Sequence, residues 1–158
     1  GRFLLQPVEP GNYTLVLTAP GRTTAVVTGV PVAAETVTPL GSAASPFSLP
    51  VSATAGVSGA APADTLVRAL QPLTAGMSVE VGGQFVNATT GAYAFTLPVA
   101  APLVAAYVPA PAPLVFSADA AGAGKYVLRA SLVGYAEKEA TLPTLAAGAS
   151  ASQNFTFP

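Results

Sequence analysis

Apolar and polar residues alternate with a period of two in four stretches of this chain. Tyr13, Leu15 and Leu17 share one register, and Thr14, Val16 and Thr18 the other. Met77, Val79 and Val81 alternate with Ser78 and Glu80; Tyr93, Phe95 and Leu97 alternate with Ala92, Ala94 and Thr96. Tyr126, Leu128, Ala130 and Leu132 alternate with Val127, Arg129 and Ser131. Successive side chains of a strand point to opposite faces, so this spacing predicts half-buried strands. No window carries a helical stripe between caps. Leu66 to Leu70 comes nearest, and Gln71-Pro72 stops it, because proline cannot donate to a continuing helix. Glycines (15) and prolines (16) cut the runs at short intervals, as turn residues do. The pattern predicts an all-β chain of short antiparallel strands packed as a sandwich.

A repeat changes the picture. Gly11-Asn12-Tyr13-Thr14-Leu15 matches Gly124-Lys125-Tyr126-Val127-Leu128. Gly21 follows Tyr13 as Gly134 follows Tyr126, Ala33-Ala34 matches Ala146-Ala147, and Phe3 matches Phe116, all at one offset of 113 residues. A gapless register over this span is the mark of a duplicated unit. Residues 51–158 then form one complete sandwich domain, and residues 42–50 form a connector. Residues 1–41 form the closing part of an earlier, incomplete unit of the same kind. Two or three isolated strands are marginal in water. The face carrying Tyr13, Leu15 and Leu17 therefore needs a partner, either the second unit or strands added from a neighbouring copy. Between the repeats, residues 98–113 carry spaced prolines and read as an extended surface connection or an edge strand.

The second copy, Gly124-X-Tyr126-X-Leu128-X-Ala130-X-X-X-Gly134-Tyr135, resembles the signature strand pair of carboxypeptidase regulatory-like domains. The first copy is similar, with Arg22 in place of the final aromatic. Val57-Ser58-Gly59, then Gly91-Ala92-Tyr93, then Gly124-Lys125-Tyr126 also follow the order found in the C-terminal part of certain bacterial secreted lipoproteins of unknown function. The resemblance implies a prealbumin-like (transthyretin-like) β-sandwich and an accessory or structural role. It carries over no catalytic residue.

Composition removes most chemistry. The chain has 158 residues, a net charge of -1, and no His, Cys or Trp. That excludes a His-dependent triad, a thiol nucleophile, a disulfide and a Cys/His zinc site. Six scattered basic residues do not make a nucleic-acid footprint. Val99 to Ala118 is apolar, but Pro102, Pro109, Pro111 and Pro113 interrupt it, so no membrane span is expected. Glu137 and Glu139 flank Lys138 as a solvated strand edge. Asp64 follows Pro62-Ala63 as turn chemistry. Asp119 stands alone before Ala120-Ala121-Gly122, too few oxygens for a calcium loop. Gly122-Ala123-Gly124-Lys125 lacks phosphate-loop spacing and reads as a hairpin turn. No cofactor, metal or catalytic residue is expected.

All three asparagines, Asn12, Asn87 and Asn154, lie in Asn-X-Thr triplets. Two readings fit: turn-and-strand grammar, in which Thr is frequent, and N-glycan acceptors of a secreted protein. Tyr93 and Tyr126 fall at inward positions, whereas Tyr107 and Tyr135 are expected to be exposed and able to meet a glycan. Gly1 is not an initiator methionine, so the chain reads as a processed product or a piece of a longer protein. A secreted or cell-surface location is expected. No charge occurs from Thr36 to Ala63 or from Val81 to Ala118, and uncharged surfaces let identical copies approach. The expectation is a non-enzymatic, self-associating structural subunit, a homo-oligomer or filament. The alternative is an accessory spacer or glycan-binding module of a larger surface protein.

Overall fold

The computed structural model describes residues 4–40, 48–74 and 76–158. Phe3 and most of the expected 42–50 connector lie outside the described residues. The described chain is all-β. In order it runs β1 (Gly11–Leu17), β2 (Ala25–Val32), β3 (Thr54–Ala60), β4 (Leu66–Pro72), β5 (Ser78–Phe85), β6 (Ala92–Pro98), β7 (Leu103–Ala106), β8 (Ser117–Ala118), β9 (Val127–Ser131), β10 (Lys138–Thr141) and β11 (Ser150–Ser152). A single 3-10 turn, Ala120–Gly122, is the one helical element among the described residues.

The strands form three sheets: β1-β2-β7-β8, β10-β9-β4-β5 and β11-β3-β6. The second and third sheets enclose the main core, like the two layers of a β-sandwich. Val67 and Ala69 of β4 and Leu128 and Ala130 of β9 meet Ala55 and Val57 of β3 and Tyr93 and Leu97 of β6. The alternation in β6 and β9 holds residue by residue. Tyr93 and Leu97 are buried between exposed Ala92, Ala94 and Thr96, and Tyr126, Leu128 and Ala130 are buried between half-buried neighbours. Each large core side chain contributes roughly 1.5–3 kcal/mol by leaving water. Both buried tyrosines satisfy their hydroxyls on backbone carbonyls. Tyr93 donates to Gln153 O at 2.6 Å and Tyr126 to Pro98 O, which avoids the cost of an unpaired buried polar group. Burial pushes the Tyr93 hydroxyl up to about 12 and that of Tyr126 higher still.

Glycine permits one close approach in this core. A Cβ at Gly59 would lie 1.7 Å from Gln153 O and 2.7 Å from the Tyr93 hydroxyl oxygen. The chain after β11 can therefore lie against β3, with Gln153 N donating to Ser58 O and Phe155 N to Ala60 O.

The first sheet packs one face onto the second. Val16, Val26 and Val104 meet Leu73, Val79 and Val81. The side chain of β1 in this contact is Val16, not Tyr13. A register shift between Tyr13 and Leu15 in the pairing with β2 interrupts the simple alternation. Tyr13 stays exposed, with its hydroxyl donating to Glu9 O at 2.7 Å, while Leu15 and Leu17 are half-buried.

Three expectations need correction. The pairing is not antiparallel throughout: β2 runs parallel to β7, and β11 parallel to β3. Each parallel strand arrives by a connection that crosses between sheets, which a hairpin cannot do. The proline-rich stretch is not merely a surface connection or edge. Its proline-free segment Leu103–Ala106 is an interior strand between β2 and β8, while Pro102 precedes it and Pro109, Pro111 and Pro113 follow. Residues 103–118 thus extend the sheet that residues 11–32 begin. Gly122 to Lys125 is not a hairpin, because β8 pairs with β7 and β9 with β4 and β10. It is a crossover, pinned by the buried Gln71 side chain, whose Nε2 donates to Gly122 O at 2.8 Å.

Candidate assembly edge and the surrounding surface

The repeat has structural equivalents. β1 and β2 form an antiparallel pair, as β9 and β10 do. Gly21 and Gly134, in the two connecting turns, both take positive φ, 65° and 87°, where a glycine meets no steric cost. The first turn is stitched to the segment that leads into β3, with an isolated bridge between Arg22 and Val51. Thr23 N donates to Pro50 O at 2.9 Å, Ser52 N to Gly21 O at 3.0 Å, and the Arg22 guanidinium to Leu49 O at 3.2 Å.

The copies differ in what lies beside their first strand. β9 is interior, because its far side pairs with β4 from Leu66↔Ser131 to Leu70↔Val127. β1 is terminal in its sheet, and no β4-like neighbour pairs with its far side among the described residues. Tyr126 is 1% exposed and its counterpart Tyr13 is 36% exposed.

Other edges are defended. β10 carries Lys138 and Glu139, and charges discourage edge pairing. β8 and β11 have two and three residues, too short to template a ladder. β5 and β6 approach one another, and the Gln84 side chain accepts from Ala94 N at 3.2 Å. β1 has seven residues with no charge and no proline. Its own defence is the register irregularity after Tyr13.

Charge is segregated by sheet. Every charged strand residue lies in the second sheet: Arg68 of β4, Glu80 of β5, Arg129 of β9, and Lys138 and Glu139 of β10. Arg68 and Arg129 stand opposite each other across β4 and β9, and carboxylates separate them. Arg68 Nη2 meets Glu137 at 2.6 Å and Arg129 Nη2 meets Glu139 at 2.6 Å, with Glu137 also 3.7 Å from Arg129. The Ser131 hydroxyl donates to Glu137 at 2.5 Å. That hydrogen bond, with Arg68 and Arg129 beside it, holds the Glu137 carboxyl below the usual range. Glu137 and Glu139 are thus members of a cross-strand ion network, which the reading as a solvated edge did not contain.

Asp119 is a structural clamp. Its carboxylate accepts from Thr74 Oγ1 at 2.5 Å, Thr74 N at 2.8 Å and Ala121 N at 3.0 Å. The Thr74 hydroxyl and backbone bonds hold its carboxyl below the ordinary value. Asp64 sits in the turn before β4 with φ 63°.

The three asparagines are all exposed. Asn12 lies in β1, opposite Pro31. Asn87 closes the β5–β6 turn, its Oδ1 accepting from Thr89 N at 2.9 Å and Thr90 N at 3.0 Å. Asn154 Oδ1 accepts from Ala60 N at 2.9 Å and so continues the pairing of the chain after β11 with β3. Two of the three triplets therefore have a local structural use.

The two tyrosines expected to be exposed part company. Tyr107 is half-buried, because its backbone N donates to Thr28 O at 2.8 Å and continues the β7–β2 pairing. Tyr135 is exposed and packs on Phe157, ring centroids 5.6 Å apart. No helix among the described residues is long and apolar enough to cross a membrane. No family model and no curated protein matches the chain.

Proposed function

We propose that this chain is a non-enzymatic structural subunit of an extracellular or cell-surface assembly, and that it self-associates through the open edge of β1. The observation that carries this reading is the unequal fate of the repeat. The strand that fills the far side of β9 has no counterpart beside β1 among the described residues. The missing partner is a strand antiparallel to β1, and a second copy supplies it. A strand of seven residues presents alternate N–H and C=O groups outward, and these pair readily with an added strand. Tyr13, exposed, and Leu15 and Leu17, half-buried, are the side chains that the added strand covers. Contact between unlike surfaces propagates into a filament when the rotation does not close. The same reading takes the sandwich as prealbumin-like and the location as secreted.

The test is negative-stain electron microscopy beside sedimentation over a dilution series, on the chain and on Tyr13→Lys. Regular fibres or oligomers that survive dilution are expected, and the lysine at the edge should disperse them with an unchanged circular dichroism spectrum. Particles of one chain's mass at every concentration would refute self-association. The edge would then belong to another segment of a longer polypeptide, as in an accessory surface module.

A further inference from the structure

A cleft of about 490 Å3 opens between the turn after β3, the β5–β6 turn and the chain after β11. Its walls are Ala60–Pro62, Thr90-Gly91 and Asn154–Phe157. It is a shallow depression open to solvent rather than an enclosed cavity. We propose that it binds a neutral oligosaccharide, with Phe157 and Tyr135 supplying the aromatic surface.

Three observations choose that chemistry. None of the lining residues is charged, so a charged ligand would leave water without compensation. Five backbone donors of the walls are already used, Thr90 N going to Asn87 Oδ1. Ala60 N goes to Asn154 Oδ1, Ala61 N to Gly91 O, Gly91 N to Asn87 O and Phe155 N to Ala60 O. An extended peptide, which binds by main-chain hydrogen bonds, finds no free donor on the walls at Ala60–Pro62 and Thr90-Gly91. What remains includes the Thr156 hydroxyl, the Thr90 hydroxyl proton and the Asn154 side-chain amide N–H groups, beside the Phe157 ring. Tyr135 lies outside the cleft lining and packs on the Phe157 ring, 48% exposed and tilted 59° to it, so it borders the wall. Hydroxyl and amide side chains next to a ring face suit a sugar, which offers hydroxyls at its rim and C–H groups on its face.

The test uses 15N-labelled protein from a host without N-glycosylation, so that Asn154 carries no sugar. Amide spectra are followed during titration with three neutral hexasaccharides, built of β-1,4-glucose, α-1,4-glucose and β-1,4-N-acetylglucosamine. Saturable shifts confined to Thr90, Gly91, Asn154, Thr156 and Phe157 are expected with at least one sugar. Tyr135→Ala and Thr156→Val should each weaken binding several-fold while leaving the remaining spectrum in place. The proposal falls if none of the three sugars gives a saturable shift, or if the shifts map elsewhere. Wild-type affinity in both variants would also overturn it. The same amides moving with protein concentration alone would give the cleft to a second copy instead. All spectra are recorded in the Tyr13→Lys background, which keeps the chain dispersed, so none of these outcomes depends on whether β1 accepts a strand.

Discussion

Gly59→Ala should be among the most damaging single methyl additions in the chain. The added carbon would stand 1.7 Å from Gln153 O and 2.7 Å from the Tyr93 hydroxyl oxygen. The first atom is backbone, so no side-chain rotation relieves the clash, and the chain after β11 must lift from β3. Overpacking of this kind costs about 1–3 kcal/mol. Displacing Gln153 also breaks the buried 2.6 Å hydrogen bond from Tyr93, and a buried group left unpaired adds about 1–3 kcal/mol. The sum is roughly 2–6 kcal/mol. For a chain of this length each kcal/mol lowers Tm by roughly 2–4 °C, so thermal unfolding should move down by about 4–24 °C. Gly56→Ala is the control, in the same strand and three residues earlier, where the nearest atom is Ser150 Oγ at 3.6 Å, an ordinary contact. Its Tm should stay within a few degrees of the parent. Unfolding followed by circular dichroism on both variants decides the matter. Equal shifts for the two, or a Gly59→Ala shift under about 2 °C, would refute the close-approach argument. Tyr93→Phe in the Gly59→Ala background should restore little, because the 1.7 Å contact with the carbonyl persists.

Two predictions concern pH. Tyr93 and Tyr126 have hydroxyls raised by burial. A raised folded pKa means that their stabilising contribution is complete below the unfolded value, about 10. It is lost as pH climbs toward about 12 for Tyr93. Absorbance titration at alkaline pH should show these two ionising together with loss of the circular dichroism signal. Ionisation of both in a still-folded protein would contradict it. At the acid end the sign reverses. Glu137 is lowered first by the Ser131 hydroxyl, and Asp119 first by the Thr74 hydroxyl. Their contribution is present above the unfolded carboxylate values, about 4, and fades as pH falls below them. The double variant Ser131→Ala/Thr74→Val should therefore show a shallower fall of Tm between neutral and acid pH than the parent, and parallel curves would refute it.

The alternation of large and small residues made β1, β5, β6 and β9 legible, because large apolar residues recur at alternate positions, as at Tyr13/Leu15/Leu17, Val79/Val81, Tyr93/Phe95/Leu97 and Tyr126/Leu128. β3 was not legible in this way. Thr54-Ala55-Gly56-Val57-Ser58-Gly59-Ala60 has low strand propensity, and its glycines answer to backbone that arrives from residues 149–153, far along the chain. β7 was masked by the prolines around it, although the four residues between them keep their donors. The ion network was half legible. Glu137 and Glu139 share a face in any strand reading, but Arg68 joins them only through the β4–β9 register, which is a long-range fact. Tyr107 was misjudged for the same reason: its neighbours in sequence are prolines, and its neighbour in space is β2. Of the candidate site, the repeat was visible in the sequence, whereas the open far edge was visible only once the strand order was known.

The two copies of Gly-X-Tyr-X-Leu make a natural experiment on context. The local sequence is nearly the same, and so is the local structure: a strand, a turn with a positive-φ glycine, and an antiparallel return. Yet Tyr126 is in the core and Tyr13 is on the surface. The difference must come from what lies next to the strand, since it cannot come from the motif. β9 has β4 beside it and the third sheet across from it. β1 has β2 on one side, and its tyrosine hydroxyl folds back onto Glu9 O. Defence is also distributed unequally. The strand charges that would repel a stranger are concentrated in the second sheet, and the first and third carry none. A sheet whose terminal strand is uncharged is under least penalty when another strand approaches. A fold that needed β1 to stay solitary would place Lys or Glu at position 13, as β10 does at 138 and 139. Tyr13→Lys performs that substitution, so the same change that tests assembly also tests why the edge is bare.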